Sequence, residues 1–183
     1  MFEELIVRIT GALDKYRIPY MIIGGQAVLF YGSPRLTRDI DITLGISINR
    51  VSEIIEVLKD IGLKIIPENF EDFVKKTFVL PARDEGTQIR VDFIFSFTPY
   101  ETQAIKKAKK VTVSGEEVFF ASPEDVIIHK IFAGRPRDLE DVRVIILKNP
   151  AIDIQYIKEW LKEFDKSSEG EGFLRTFEEI LGS

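Results

Sequence analysis

The sequence predicts an α/β (α+β) fold, with a mixed sheet flanked by helices in residues 1–120 and a helical part in residues 121–183. Three observations carry this. Segments of helical and strand periodicity alternate through the first part. Two of the strand segments, 39–44 and 88–95, have the period-2 alternation of a sheet with chemically distinct faces. Beyond Ala121 the apolar stretches keep helical spacing, so a soft boundary falls there.

The elements follow in order. Residues 2–15 place Phe2, Leu5, Ile6, Ile9 and Leu13 on one helix face, an amphipathic helix covering the sheet. Arg17-Ile18-Pro19 connects it to a first strand, Tyr20 to Ile23, whose apolar run suits burial. Gly24-Gly25 then turns the backbone with no Cβ in the way. Residues 26–31 have helical character, which Gly32-Ser33-Pro34 stops. After the strand at 39–44, Asn49 is the expected N-cap of a helix at 51–61 that ends at Gly62. An extended segment at 63–66 and a helical turn at 70–76 lead to strands at 77–80 and 88–95, joined by a polar turn at 81–87. A helix at 98–107 and a hairpin at 111–120, turning at Ser114-Gly115, close the first part. Ser122-Pro123-Glu124-Asp125 starts a helix with Ser as N-cap, Pro at the first position and acids in the first turn. Arg135 to Asp141 open another, and helices at 152–164 and 173–181 end the chain, separated by a flexible polar linker at 167–172.

Composition narrows the classes of function. With 183 residues the chain can bury a sizeable core. It has no cysteine and one histidine, which removes disulfide scaffolds, thiolate metal sites and His-rich zinc chemistry. No apolar run nears the ~20 residues of a membrane span. The Met-Phe-Glu-Glu-Leu start lacks the basic and apolar regions of a signal peptide. A cytoplasmic protein without membrane contact is expected. The net charge of −5 argues against a general nucleic-acid coat protein and leaves room for a local basic groove.

The chemistry concentrates between Tyr20 and Leu44. In Asp39-Ile40-Asp41-Ile42 both carboxylates fall on one strand face and both isoleucines on the other. Two adjacent carboxylates repel unless a cation lies between them. Mg²⁺ takes oxygen ligands, usually one or two carboxylates plus substrate phosphates. A helix N-terminus opened by glycines is where phosphates bind. Asp92 is the one acid in the apolar strand at 88–95, where an unpaired buried charge is costly. It is either a metal ligand or the ion-pair partner of a residue such as Arg90. Arg35 and Arg38 offer guanidinium groups to a triphosphate, and Thr37 is suited to fixing their loop. Lys106, Lys107, Lys109 and Lys110 form the most basic run, either a solvated helix end or a guide for acceptor RNA. His129 and Trp160 read as packing residues.

Gly24-Gly25, thirteen intervening residues and Asp39-Ile40-Asp41-Ile42 together resemble the signature of the polymerase-beta-type nucleotidyltransferases. The fuller wording, Gly-Gly-Gln-Ala, Tyr-Gly, Arg35, Thr37 and Asp39-Ile40-Asp41, resembles the small prokaryotic AbiEii-like group. The resemblance covers the first half of the chain well and the second half only through scattered residues. It implies a nucleotidyltransferase-type sheet and transfer of a nucleoside monophosphate from an NTP to an acceptor hydroxyl. Asp39, Asp41 and Asp92 are then the catalytic acids and the ligands of two Mg²⁺ (or Mn²⁺) ions, and Gly24 and Gly25 the phosphate cradle. Lys130, Ala133 and Asp138 match a looser run of the AbiEii-like relatives in which a Lys and a later Asp complete the nucleotide site. The bland alternative is a surface lysine and a helix-capping acid. The acceptor stays open among an RNA such as tRNA, a protein side chain and a small hydroxylated molecule. A second reading keeps the fold without catalysis: a nucleotide-binding module, or one half of a toxin–antitoxin pair with an antitoxin partner.

Overall fold

In the computed structural model, which describes residues 1–33, 36–168 and 170–182, nine α-helices among the described residues accompany one seven-stranded mixed sheet. Helix α1 (Phe2–Lys15) buries Leu5, Ile6, Ile9 and Leu13, the stripe its spacing predicts. Strand β1 (Tyr20–Ile23) is buried at every position, as suits an all-apolar run at the sheet centre. Helix α2 (Gly24–Tyr31) begins at once, and strand β2 (Asp39–Leu44) returns antiparallel to β1 with Ile23 opposite Asp41. The chain therefore leaves β1 and re-enters β2 at the same end of the sheet.

A 3₁₀ turn at Ile48–Arg50 precedes helix α3 (Val51–Asp60), so Asn49 lies inside that turn and Arg50 is the N-cap. The Val51 N–H bonds to the Ile48 carbonyl, so the tightened turn satisfies a donor that an Asn49 side chain would otherwise have met. Strand β3 (Leu63–Ile65) is short, and α4 (Phe70–Thr77) is a full helix that takes in Thr77 and ends at Phe78 in the left-handed region. Strand β4 (Val79–Asp84) runs through Pro81 where a turn was expected. Pro81 pairs with Asp92 of strand β5 (Arg90–Phe95). Bonds from Phe95 N–H to Phe78 O and from Asp84 N–H to Ile89 O bracket this ladder, putting Pro81 at a position where the pair exchanges no hydrogen bond. The turn proper is held by Asp84, whose carboxylate accepts the Thr87 N–H at 2.9 Å and hydroxyl at 2.7 Å.

Helix α5 (Pro99–Lys107) opens with a capping box between Thr98 and Glu101. Strands β6 (Lys109–Val113) and β7 (Glu116–Phe120) form the predicted hairpin. The sheet order is β3-β4-β5-β2-β1-β7-β6. Strand β2 lies parallel to β5 and β1 parallel to β7; the other pairings are antiparallel. Helices α6 (Pro123–Ala133), α7 (Pro136–Lys148), α8 (Ile154–Ser167) and α9 (Phe173–Leu181) complete the chain, with α6 and α7 against α2. The expected linker is shorter than its sequence suggests: Ser167 belongs to α8, and the Asp165 carboxylate accepts the N–H groups of Phe173 and Leu174 at 2.7 and 3.0 Å. That side chain caps the next helix across the turn. The core runs without a break from Leu5 to Ile180.

Candidate active site

The register of three strands builds the centre of the site. Ile23 of β1 lies opposite Asp41 of β2, and Asp41 lies beside Asp92 of the parallel β5, with Asp39 beside Arg90. Residues in register share a face, so Asp39, Asp41, Arg90 and Asp92 form one charged quartet on the sheet. Gly24 follows Ile23 at once. It has φ +64°, and a Cβ added there would come 2.9 Å from the Asp41 Cγ. Only glycine admits both this backbone and this close approach. Gly24 and Gly25 are the first two residues of α2, where N–H groups lack intrahelical acceptors.

Charge crowding shows on Asp41. Burial, then the neighbouring Asp39 and Asp92 charges, push its carboxyl up to about 6 against the opposing pull of Lys130 and Arg90. Asp92 is itself engaged: Arg90 Nε donates to its Oδ1 at 2.8 Å. Arg90 and Asp92 are two apart on one strand and therefore share a face, so the ion pair and the place beside Asp41 coexist.

A cavity of about 500 Å³ opens over this corner. Its lining includes Gly24, Gly25, Thr37, Arg38, Asp39 and Asp41 from the first half of the chain, and Lys130 and Asp138 from the helices. The structure thus gathers eight of the residues singled out in the sequence around one space. Asp92 is absent from that lining, one strand further along the sheet. Arg35 lies outside the described residues. Among the described residues no three acidic or histidine side chains converge closely enough to hold a metal ion between them.

Gln26, at the third position of α2, is buried, and its Nε2 donates to the Thr37 hydroxyl at 2.7 Å. This bond fixes the approach to β2, the local role expected of Thr37. The helical wall is an ion network. Lys130 is 5% exposed, and its Nζ lies 2.7 Å from Asp138 Oδ1 and 3.1 Å from Asp141 Oδ2. Arg135 Nε donates to Asp138 Oδ2 at 2.5 Å. Burial pushes the Asp138 carboxyl up, but the bonded Arg135 and Lys130 outweigh it and hold the group below its usual range. Asp138 is 2% exposed and Lys130 is buried beside it, so the surface-lysine alternative does not hold. Arg135 and Arg137 also line the cavity. The sequence offered a signal for both, in the Arg-Pro-Arg-Asp start of α7.

Other candidates stand elsewhere. The basic run is split between the end of α5 and strand β6, with Lys107 Nζ 3.4 Å from the Tyr156 ring centre and Lys110 bonded to Glu117 at 2.7 Å. None of its lysines lines the cavity. His129 packs against Tyr100, and burial pushes its imidazole down to about 4, which keeps it neutral. Trp160 is half-buried and packs edge-on against Tyr100 at 5.1 Å, at the margin of the core. No helix among the described residues is long and apolar enough to cross a membrane.

Comparisons with known proteins bear on this geometry. A model of the family described as "Nucleotidyltransferase of unknown function (DUF6036)" matches residues 1–178. A search of curated proteins finds no match. Among solved structures, the antibiotic-resistance factor ANT(2'')-Ia is similar with a TM-score of 0.63 and 17% identity, over 90% of this chain and 91% of that one. An antigenic nucleotidyltransferase-like protein from Paracoccidioides brasiliensis is similar with a TM-score of 0.57 and 17% identity, over 95% and 92%. The lincosamide antibiotic adenylyltransferase LnuA, in its lincomycin-bound structure, is similar with a TM-score of 0.52 and 17% identity, over 75% and 91%. The sheet and its helices share the fold of these solved structures.

Proposed function

The chain belongs to the DUF6036 nucleotidyltransferase family, and from that premise we propose that it moves a nucleoside monophosphate from an NTP to an acceptor hydroxyl, releasing pyrophosphate. One observation carries the reading: Asp41 lies against the backbone of Gly24, in register with Asp92 and inside a cavity of about 500 Å³. Backbone N–H groups suited to phosphate and acidic side chains suited to a cation thus lie side by side.

The donor set fits a hard divalent cation. All its protein ligands are carboxylate oxygens; burial and then the Asp39 and Asp92 charges push Asp41 up to about 6, and the charge repulsion is what a bound cation relieves. With phosphate oxygens supplied by the substrate, Asp39 and Asp41 would hold one Mg²⁺ or Mn²⁺ ion and Asp92 would join in holding a second in a two-metal scheme, where the charge on the phosphates would be neutralised. The chain's own groups do the positioning. Gly24 and Gly25 offer N–H groups at a helix N-terminus to the β- and γ-phosphates. Asp92, beside Asp41, orients the acceptor hydroxyl. The hydroxyl gives its proton to the Asp92 carboxylate as its oxygen attacks the α-phosphorus in line, the bond from that phosphorus to the bridging oxygen breaks, and pyrophosphate departs. Positioning and charge neutralisation supply the rate.

The acceptor is a hydroxylated molecule of one of three classes: a small molecule, a protein side chain or an RNA end such as that of tRNA. The ANT(2'')-Ia structure solved with adenylyl-2''-tobramycin and the lincomycin-bound LnuA make tobramycin and lincomycin rational first small-molecule trials. A second reading rests on the Asp92–Arg90 pair, which occupies a proposed ligand and favours a nucleotide-binding module without transfer, such as a toxin–antitoxin component.

The test is transfer of label from each α-labelled NTP, with Mg²⁺ or Mn²⁺, to total RNA, protein and small-molecule fractions. Wild type is run beside Asp39→Asn/Asp41→Asn. Label in one fraction, absent with the variant, is the expected result. Transfer that persists in the variant would remove these acids from the mechanism. Metal-dependent nucleotide binding with no label in any fraction would favour the second reading.

A further inference from the structure

The resemblance to the AbiEii-like group casts Lys130 and Asp138 as the residues that complete the nucleotide site. The geometry divides the work differently. Lys130 is buried, with one carboxylate at 2.7 Å and a second at 3.1 Å. Turning its ammonium toward a phosphate would leave both acids without that cation in a low-dielectric setting, a strongly unfavourable change. Arg135 stands at the other end of the same network. It is the N-cap residue of α7, its side chain is 74% exposed, and it lines the cavity with Gly24, Asp39 and Asp41. Its Nε and Nη2 face Asp138, at 2.5 and 3.4 Å, which leaves Nη1 outside that contact. Asp138 serves both cations: Oδ1 lies 2.7 Å from Lys130 Nζ and 3.4 Å from Arg135 Nη2, and Oδ2 accepts from Arg135 Nε. A chain of alternating charge, Asp141–Lys130–Asp138–Arg135, therefore runs from the helix interface to the cavity, and Arg135 is its exposed member.

We propose that Arg135 is the side chain of this wall that meets the nucleotide's phosphates, that Asp138 is the positioning residue that aims it, and that Lys130 is the buried counter-charge holding Asp138 in place. The inference rests on the nucleotidyl-transfer reading of the cavity. Arginine suits the role because its fork can keep one edge on a carboxylate while the other takes a phosphate oxygen. Lysine at the same place, a point charge, cannot do both. Asp138 acts on the phosphates only through Arg135, so its loss should not weaken phosphate binding further once Arg135 is gone.

The experiment is titration calorimetry with magnesium tripolyphosphate and with each magnesium NTP, on wild type, Arg135→Ala, Arg135→Lys, Asp138→Asn and the Arg135→Ala/Asp138→Asn double variant. Thermal melting checks that each is folded. Arg135→Ala should weaken tripolyphosphate binding about tenfold or more, as loss of a charge-assisted contact does. Asp138→Asn should weaken it comparably, and the double variant should be no weaker than Arg135→Ala alone. Added guanidinium ion should restore binding to Arg135→Ala but not to the double variant, a response that a purely structural Asp138 would not produce. If Asp138→Asn fails to fold, Arg135→Lys carries the comparison, with most of the loss expected despite the retained charge. Arg135→Ala binding as tightly as wild type, or losses that add in the double variant, would overturn this inference alone. Wild type binding neither tripolyphosphate nor any NTP would overturn the nucleotide reading and this inference with it.

Discussion

Asp41 is where the chain's electrostatics concentrate. Its carboxyl is raised from an ordinary 3.8 to about 6, first by burial and then by Asp39 and Asp92. A raised folded-state value means that the folded protein binds the proton more tightly than the unfolded chain. The associated stability is therefore fully present below about pH 4 and lost as pH rises through about 6. A shift of this size corresponds to about 3 kcal/mol. Asp41→Asn, free of cations, should melt at a higher temperature than wild type at pH 7 to 8, and the gap should close as pH falls below about 4. Melting curves across that range check it; a gap that stays constant with pH would show that Asp41 is not the strained group. With Mg²⁺ added at pH 7, wild type should gain stability and Asp41→Asn little, because the bound charge relieves a repulsion the variant lacks.

At the scale of elements, the helical wall is held in place by a buried polar node. Asp125, 0% exposed in the first turn of α6, accepts from Tyr100 Oη at 3.0 Å, Tyr156 Oη at 2.9 Å and Ser122 Oγ at 2.7 Å. These bonds tie α5 and α8 to the start of α6, the helix that carries Lys130 further along. Burial still raises the Asp125 carboxyl, even against three donors that favour its charged form. Asp125→Ala removes the shared acceptor and strands buried hydroxyls, so it should destabilise the fold by about 3–5 kcal/mol. Tyr156→Phe removes one bond and should lower stability by about 1 kcal/mol. Denaturant unfolding measures both; equal effects from the two would argue that Asp125 is not the hub.

For the whole molecule, the question is whether the α/β part and the terminal helices are separate folding units. The core passes from Leu5 in α1 to Ile180 in α9 without interruption, and β7 enters the sheet beside β1 just before α6 begins. Helix α7 also grips the end of α2: Lys148 Nζ donates to the Gly32 carbonyl at 2.8 Å and Asn149 Nδ2 to the Tyr31 carbonyl at 2.9 Å. We therefore expect one cooperative transition, with calorimetric and van't Hoff enthalpies equal. A fragment of residues 1–120 should not fold alone, because the α2 surface that α6 and α7 cover would face water. Far-ultraviolet dichroism and calorimetry decide it: a folded fragment, or two transitions in the full chain, would make the boundary near Ala121 a true domain limit.

Much of this was legible from local signals. Helical spacing from Phe2 to Leu13 found α1, and the Ser122-Pro123 start found α6. The pairing of Gly24-Gly25 with Asp39-Ile40-Asp41 found the corner of the sheet where the cavity opens. Such features depend on neighbours a few residues apart, so the chain carries them wherever it folds. The misread stretches turned on partners far along the chain. Pro81 reads as a turn until Asp92 faces it across a position needing no N–H. Ser167 reads as linker until Asp165 is seen capping α9. The sequence by itself determined the elements, the face shared by Asp39 and Asp41, and the need for glycine before α2, because periodicity and backbone sterics are local. Only the tertiary structure decided that Asp92 stands beside Asp41, that Lys130 is buried between two acids and that Arg135 faces the cavity. Those outcomes depend on strand register and on which helix ends meet, and no spacing along the chain encodes them.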